Sequence, residues 1–577
     1  MEAGQPENRA MKGGDWTERG NRKLEEGDLD GAIECYETAI AIDPAFAVAH
    51  YRAALLLQHL GRHAEADEHY RSAVEVEPDL ADAWIDWGNL AYGSGDSAAA
   101  ISRFETALEA IPDHPRALHN LATILLAAGD FDSARDLFER AIAAGNAESR
   151  LGLANAQSAA GDLETAVRSY DDIIAADRDD AVAHYQLGLA LQRLGRFESA
   201  LSHYREAARL RPGFPQPLVN SAQTLMDMGD LGGAEETYRR VIGSDDPAFR
   251  ARGEFGLSQL ALRRQDFEHG WTGYERRLDI EADGRRWETQ GVPRLGKGDL
   301  EAAGRVAIWS EQGIGDQILF STLLPEVVDA GIEAVVEVDP RLAAAFRRSL
   351  PALRFATGAQ FEEAFDSCRF QLPVGSLAQL FRPNRDSFAR QPRALLKADP
   401  ARVAQARASL DDRPKIGISW RSIQPLATRF LESAKSAPLE RFGVFDGTGA
   451  ALVDLQYGDL EEERGAFDDR HPRLRRRIAG LDAFNDLEGV MAAIEACDLV
   501  ITTSNATAHL AGAVGKRTWL LCLGANPPFH YWVPGDDGHS LWYPSVEVVT
   551  DGSWRTWEAA FEAVSRRFIS GSNRPSR

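Results

Sequence analysis

Small residues recur at a fixed interval through the first half of the chain, and this period constrains the fold more than any other feature. Ala32, Ala66, Ala100 and Ala134 lie 34 residues apart, and after one step of 32 the series continues at Ala166, Ala200 and Ala234. Four residues after each comes an aromatic: Tyr36, Tyr70, Phe104, Phe138, Tyr170, Tyr204 and Tyr238. Pro44, Pro78, Pro112 and Pro212 close four of the units. Self-similarity at a fixed period marks repeated units that cannot bury their apolar faces alone and must stack on their neighbours. Gly253 to Arg277, with Gly270-Trp-Thr-Gly-Tyr274, reads as a degenerate eighth unit that caps the array.

The pattern resembles the tetratricopeptide repeat. The resemblance implies about seven repeats over residues 15–247, behind a disordered N-terminus at 1–14, forming a right-handed solenoid whose concave groove takes a protein partner. The sixth position of successive first helices, which tends to face the groove, reads Glu18, Arg52, Asp86, Asn120, Gly152, Gln186 and Asn220. That face is mixed and polar, with only traces of an asparagine ladder at Asn120 and Asn220, and predicts a selective groove.

Composition narrows the class. With 577 residues and 44% hydrophobic content the chain is long enough for two or three compact units. Its net charge of -24 argues against binding nucleic acid along the phosphate backbone. Cys35, Cys368, Cys497 and Cys522 are scattered, without metal-ligand spacing or a disulfide framework, which fits a reducing compartment. Residues 1–15 lack an apolar signal core, and no run of about eighteen apolar residues follows. The expectation is a cytoplasmic protein with no membrane span.

The second half reads as two α/β lobes. Residues 248–304 hold the capping unit and a polar, glycine-bearing linker from Asp279 to Gly304. Apolar runs at Val306–Ser310, Ala334–Val338, Leu353–Ala356 and Phe370–Val374 predict strands of a first lobe, 305–398. Runs at Lys415–Trp420, Ala451–Gln456, Leu499–Thr503, Thr518–Leu523 and Val546–Val549 predict those of a second, 399–568. Alternation with helical stretches implies parallel sheets, with a hinge at Arg382–Pro400 and a disordered tail at 569–577.

Ligands of such sheets bind at the carboxyl ends of strands, where four polar loops fall. Trp309 to Gln317 runs from a strand through a glycine turn into a helix. Its Glu311, Gln312, Gly313 and Gly315 form one side of a cleft, and Asp316 is the candidate for acid–base chemistry. Ser419-Trp-Arg421-Ser leads toward Lys435, and Gln456-Tyr457 follows the Ala451 strand. Thr503, Ser504, Asn505, Thr507 and His509 surround a helix N-terminus, which predicts an anion site.

Together Ser310-Glu-Gln-Gly-Ile-Gly-Asp316, Ser419-Trp-Arg421, Leu455-Gln456, Asp498-Leu-Val-Ile501, Thr507-Ala-His-Leu-Ala-Gly-Ala-Val-Gly-Lys516 and Trp542-Tyr-Pro544 resemble bacterial tetratricopeptide proteins ending in a GT-B glycosyltransferase domain. That domain is related to the lipopolysaccharide heptosyltransferases and, more distantly, to the O-linked N-acetylglucosamine transferases; the likeness spans about Gly253 to Phe568. It implies a solenoid followed by two Rossmann-like lobes, and transfer of sugar to Ser or Thr hydroxyls of a protein recruited by the repeats. Some proteins of this kind modify flagellin, in cases with nonulosonic acids from a cytidine monophosphate donor. The implied donor is a UDP- or CMP-linked sugar, used as substrate with no further cofactor. By matching motif, Arg421, Lys435, Gln456, Tyr457, Thr503, Ser504, Asn505, Thr507 and His509 hold the donor, Asp316 is the base, and the loop of Glu311, Gln312, Gly313 and Gly315 lies on the acceptor side.

Two departures stand out. Heptosyltransferases usually have Asp-Thr-Gly-Pro before the histidine, where this chain has Ser504-Asn-Ala-Thr507, and the first lobe is short. No metal is expected, since Asp-x-Asp pairs such as Asp28/Asp30 and Asp177/Asp179 fall only in repeat turns. A dinucleotide fingerprint is disfavoured because its third glycine would be Ile318. Two alternatives remain: an inactive repeat scaffold, and a GT-B nucleotide-sugar epimerase.

Overall fold

The computed structural model describes residues 12–280, 287, 291–311, 313–422, 435–523, 529–550 and 556–572. Gln312 and most of the predicted terminal tails lie outside them. The chain divides into two compact units, Met1–Leu191 and Gln192–Arg577.

The first unit is all helix. Its pairs are Gly13–Glu25 with Leu29–Ile42, Ala47–His59 with His63–Val76, Ala81–Gly93 with Ser97–Ala110, Pro115–Ala128 with Phe131–Ala143, and Ser149–Ala159 with Leu163–Ala176. The repeating alanines have no exposed surface, here and in the next unit, and the aromatics that follow them are at most 4% exposed. Small residues are needed because the rings lie flat on the facing helix. A Cβ on Gly88 or Gly152 would sit 2.6 or 2.4 Å from Phe104 or Phe138. Each pair turns through a left-handed glycine (27, 61, 95, 129 and 161, then 195 and 229), which no other residue adopts without strain. An aspartate often follows as helix cap, as Asp28, Asp96, Asp130 and Asp162 do here. The net negative charge is concentrated in this unit, where 15 Lys and Arg stand against 35 Asp and Glu.

The second unit takes over before the repeats end. Ala181–Arg193 pairs with Phe197–Leu210, Gln216–Met228 with Leu231–Ile242, and Pro247–Arg263 with Phe267–Tyr274. The last pair is the predicted capping unit, and its turn breaks the glycine series. Gln265 holds the left-handed position at φ 60° and donates from its amide to the Pro534 carbonyl at 3.0 Å. Trp271, 1% exposed, donates to the Arg382 carbonyl at 2.9 Å and meets Phe320 and Trp542 edge-on. The cap is therefore part of the α/β core.

Two parallel sheets follow. The first has order β3-β2-β1-β4, with β1 Arg305–Trp309, β2 Glu333–Glu337, β3 Arg354–Ala356 and β4 Phe370–Pro373. The second has order β10-β9-β8-β5-β6-β7, with β5 Lys415–Ser419, β6 Ala451–Asp454, β7 Arg475–Arg476, β8 Leu499–Thr502, β9 Thr518–Leu521 and β10 Val546–Val549. Only β7, two arginines on the sheet edge, had no sequence signal. Alternate residues enter different cores: Val306 and Ile308 one, Ala307 and Trp309 another. Both faces are covered, as parallel sheets require.

Two predicted connectors are packed. Trp287, inside the predicted linker, is 3% exposed against Phe361 and Phe365. In the predicted hinge, Arg382 is fully buried and ion-paired to Glu326, and the Leu395 and Leu396 amides donate to the Ala513 carbonyl at 2.7 and 2.9 Å. Both segments carry apolar side chains that the adjoining cores need, so they serve as straps. At the ends, helices begin at Gly13 and run through Ser572, inside the segments read as disordered. Among the described residues no helix is long and apolar enough to cross a membrane.

Candidate functional site

Strand β1 ends at Trp309, and the chain turns through Gly313 into the helix Ile314–Ser321. Strand β8 ends at Thr502 and turns through Ser504 into the helix Ala506–Val514. These two helices pack together with their N-termini at one cavity of about 450 Å³. A Cβ on Gly315 would stand 3.0 Å from His509 Cδ2 and 3.2 Å from Nε2, so glycine is what lets the first lobe meet the second. Gly313, Gly315, Asp316, Lys435, Tyr457, Ser504, Asn505 and His509 all line this cavity.

Lys435 is 4% exposed, and its ammonium makes no hydrogen bond among the described residues. It rests 4.0 Å from the centroid of the Phe529 ring. Burial lowers its pKa to about 8, and the Asp316 carboxylate acts in the opposite direction. His509, also 4% exposed, is pushed down to about 3 by burial and secondarily by Lys435, so it is neutral at working pH. Its Nδ1 lies 3.1 Å from the Tyr543 hydroxyl. Tyr531 and Tyr543 are raised well above the usual phenol value, first by burial and then by Asp316. Among the described lining residues the charged groups are thus the Asp316 carboxylate, the desolvated Lys435 ammonium and the Arg263 guanidinium, set among neutral rings.

Other predicted site residues turn inward. Gln456, 3% exposed, accepts from the Ser419 hydroxyl and from the Trp420 and Arg421 amides, and donates to the Arg421 and Tyr457 carbonyls. The amide expected to hold the donor instead ties the β5 loop to the β6 loop. Arg421 pairs with Glu463 at 3.2 Å. Thr503 donates to the Lys435 carbonyl at 2.5 Å, and Thr507 is 2% exposed; neither lines the cavity. Glu311, expected on the acceptor side, is held by the buried Arg277 at 2.6 and 2.7 Å and by the Gly375 amide at 2.9 Å. A carboxylate there neutralises a guanidinium that would otherwise be stranded. Asn505 lines the cavity, yet its side chain caps the Ala506–Val514 helix through the Ala508 amide and donates to the Ser419 hydroxyl.

Part of the wall was not foreseen. Gln223 and Met226 come from the helix Gln216–Met228, and Phe255, Gln259 and Arg263 from Pro247–Arg263. Phe529, His530 and Tyr531 come from the stretch before β10. The run of four rings from Phe529 to Trp532 was a readable signal for the latter. Nothing in a repeat helix distinguishes a side chain facing a cavity from one facing water. Burial and the neighbouring Arg263 take His530 to about 3 as well, and its Nδ1 meets Gln259 at 3.1 Å. Among the described residues no three His, Cys, Asp or Glu side chains group so as to hold a metal ion.

Known proteins match both parts of the chain. Tetratricopeptide repeat models match residues 20–61, 47–80, 85–149, 125–190 and 181–214. A solved tetratricopeptide repeat protein from Parabacteroides merdae aligns over 42% of this chain and 98% of its own, at 15% identity and TM-score 0.36. The probable biofilm formation methyltransferase WspC of Pseudomonas putida is 43% identical over 61 residues, 11% of this chain and 14% of that protein. Protein FlbA of Caulobacter vibrioides is 31% identical over 414 residues, 68% of this chain and 67% of the relative. On that extent of shared sequence, this tetratricopeptide repeat chain belongs to the FlbA family.

Proposed function

We propose that the second unit is a GT-B glycosyltransferase that carries sugar from a nucleotide sugar to a Ser or Thr hydroxyl of a protein recruited by the repeats. The observation that carries this reading is Lys435: a nearly buried ammonium without a protein hydrogen bond among the described residues, in the cavity where two helices begin. Helix N-termini and a desolvated cation favour an anionic group, and a phosphate of the donor meets that requirement.

In the proposed step Asp316 accepts the proton of the acceptor hydroxyl as the oxygen bonds to the anomeric carbon. The bond from that carbon to the phosphate oxygen breaks, and the electron pair leaves with the phosphate. Lys435 and the helix-end amides offset its charge. The aromatic wall from Phe529 to Tyr531 keeps water from the anomeric carbon. The acidic first unit fits a partner with exposed basic groups, whose capture would weaken with salt. Flagellin is the acceptor we put first, on the motif resemblance.

The experiment is incubation of the full chain with flagellin and CMP- or UDP-linked sugars, read by intact mass, alongside calorimetry with CMP and UDP. Added sugar mass on the acceptor supports the reading. Absence of binding to either nucleotide, with no mass gain, refutes it and leaves a scaffold. Conversion of free donor without acceptor would point instead to an epimerase.

A further inference from the structure

The motif Trp542-Tyr-Pro544 has no part in the chemistry described so far, yet Tyr543 reaches the candidate site. Its ring lies across the helix Ala506–Val514 at Gly512, where a Cβ would be 2.5 Å from Tyr543 Cγ. Glycine at that position lets the ring sit flat and brings its hydroxyl to His509, one turn back on the same face. Tyr543 is 1% exposed, and His509 Nδ1, at 3.1 Å, is the one hydrogen-bond partner its hydroxyl has among the described residues.

That pairing fixes a direction. A phenol oxygen has lone pairs to spare but one hydrogen, and a buried O–H left without an acceptor is costly. The hydroxyl therefore donates, Nδ1 accepts, and the proton of the neutral imidazole resides on Nε2. That nitrogen is the side of the ring facing Gly315, at the cavity where the two helices begin. Tyr531 and Trp532 pack on the ring at centroid distances of 5.4 and 4.8 Å and hold its orientation.

We propose that Tyr543 is a positioning residue that fixes His509 as a neutral hydrogen-bond donor, presenting Nε2–H to a phosphoryl oxygen at the start of the Ala506–Val514 helix. It rests on the proposed function only in naming phosphate as the acceptor of that hydrogen bond. His509 then stabilises charge on the leaving group without giving up a proton, unlike a general acid. Lys435 and Asp316 are the charged groups that face this pair.

Two measurements on the full chain test it. Nitrogen NMR of protein labelled in histidine, with His509 assigned by its loss in His509→Gln, is expected to give the Nε2–H form in the wild type. In Tyr543→Phe, which keeps the ring and its packing but removes the donor to Nδ1, the unprotonated Nδ1 resonance should move downfield as its hydrogen bond is lost. A wild type already in the Nδ1–H form overturns the inference, whatever the protein binds. Calorimetry with CMP and UDP is expected to give about tenfold weaker binding for Tyr543→Phe and His509→Asn. His509→Gln, whose amide can donate from near the Nε2 position, should stay within about threefold of wild type. Equal binding by wild type and Tyr543→Phe also overturns the inference. If the wild type binds neither nucleotide, the glycosyltransferase reading falls, while the NMR result still decides the role of Tyr543.

Discussion

Replacing Lys435 by methionine should make the free protein more stable while removing its affinity for anions. The side chain is 4% exposed, and burial lowers its pKa from 10.5 to about 8 even though Asp316 pulls the other way. At about 1.4 kcal/mol per tenfold, that difference corresponds to about 3 kcal/mol of unfavourable free energy for the charged form in the folded state. Between pH 8 and 10.5 the unfolded chain binds more protons than the folded one, so wild-type stability rises with pH across this window. Below pH 8 both states carry the charge and the penalty is complete. Methionine keeps an unbranched apolar side chain and has no charge to desolvate, so a gain of about 1–3 kcal/mol is expected at pH 7 after relaxation of the site. Urea unfolding followed by tryptophan fluorescence reports on the right unit, since nine of the twelve tryptophans lie beyond Leu191. The expected result is a higher midpoint at pH 7, loss of the rise above pH 8, and no calorimetric signal with CMP or UDP. A variant less stable than wild type at pH 7 would refute the reasoning, as would a wild type that gains nothing between pH 8 and 10.

Other substitutions probe different parts of the same structure. Asp316→Asn should retain nucleotide binding and lose transfer by at least about a hundredfold, as for a missing base; unchanged turnover in the mass assay removes Asp316 from that role. Gly315→Ala places a methyl about 3 Å from the buried His509 ring and should lower stability by about 1–3 kcal/mol, whereas a Cβ on Gly313 meets nothing within 4 Å. Gly313→Ala is the matched control, and equal urea midpoints for the two would contradict the close approach of the lobes. Arg277→Met leaves Glu311 buried without its cation and should cost about 3–5 kcal/mol; a change below 1 kcal/mol in the same unfolding assay would mean Glu311 finds another partner.

The sequence was most legible where one physical requirement allowed one residue type. Buried repeat alanines with an aromatic one turn on, and strands covered on both faces, fell within a residue or two of expectation. The candidate site was legible by place and less so by role. Loops at strand ends need polar side chains to satisfy backbone groups as well as to meet ligands, and Gln456, Thr503 and Glu311 do the former. No spacing rule separates the two uses. The repeat-derived wall was illegible for another reason, because Gln223 and Gln259 occupy ordinary repeat positions and gain their setting only from packing on the α/β core.

The division at Leu191, rather than near the predicted end of the repeats at 247, bears on how such a protein can change over time. Helices Gln216–Met228 and Pro247–Arg263 wall the cavity, and Trp271 is sealed among core aromatics, so the last pairs are locked to the α/β core. The pairs ahead of them each turn through a left-handed glycine and pack chiefly on their neighbours in sequence. A duplication or loss of one 34-residue unit there would alter the length and charge of the first unit in whole steps while leaving every cavity residue in place. Under the proposed transferase function, new acceptors would be acquired by recombination within the gene's first third, with the cavity left as it is.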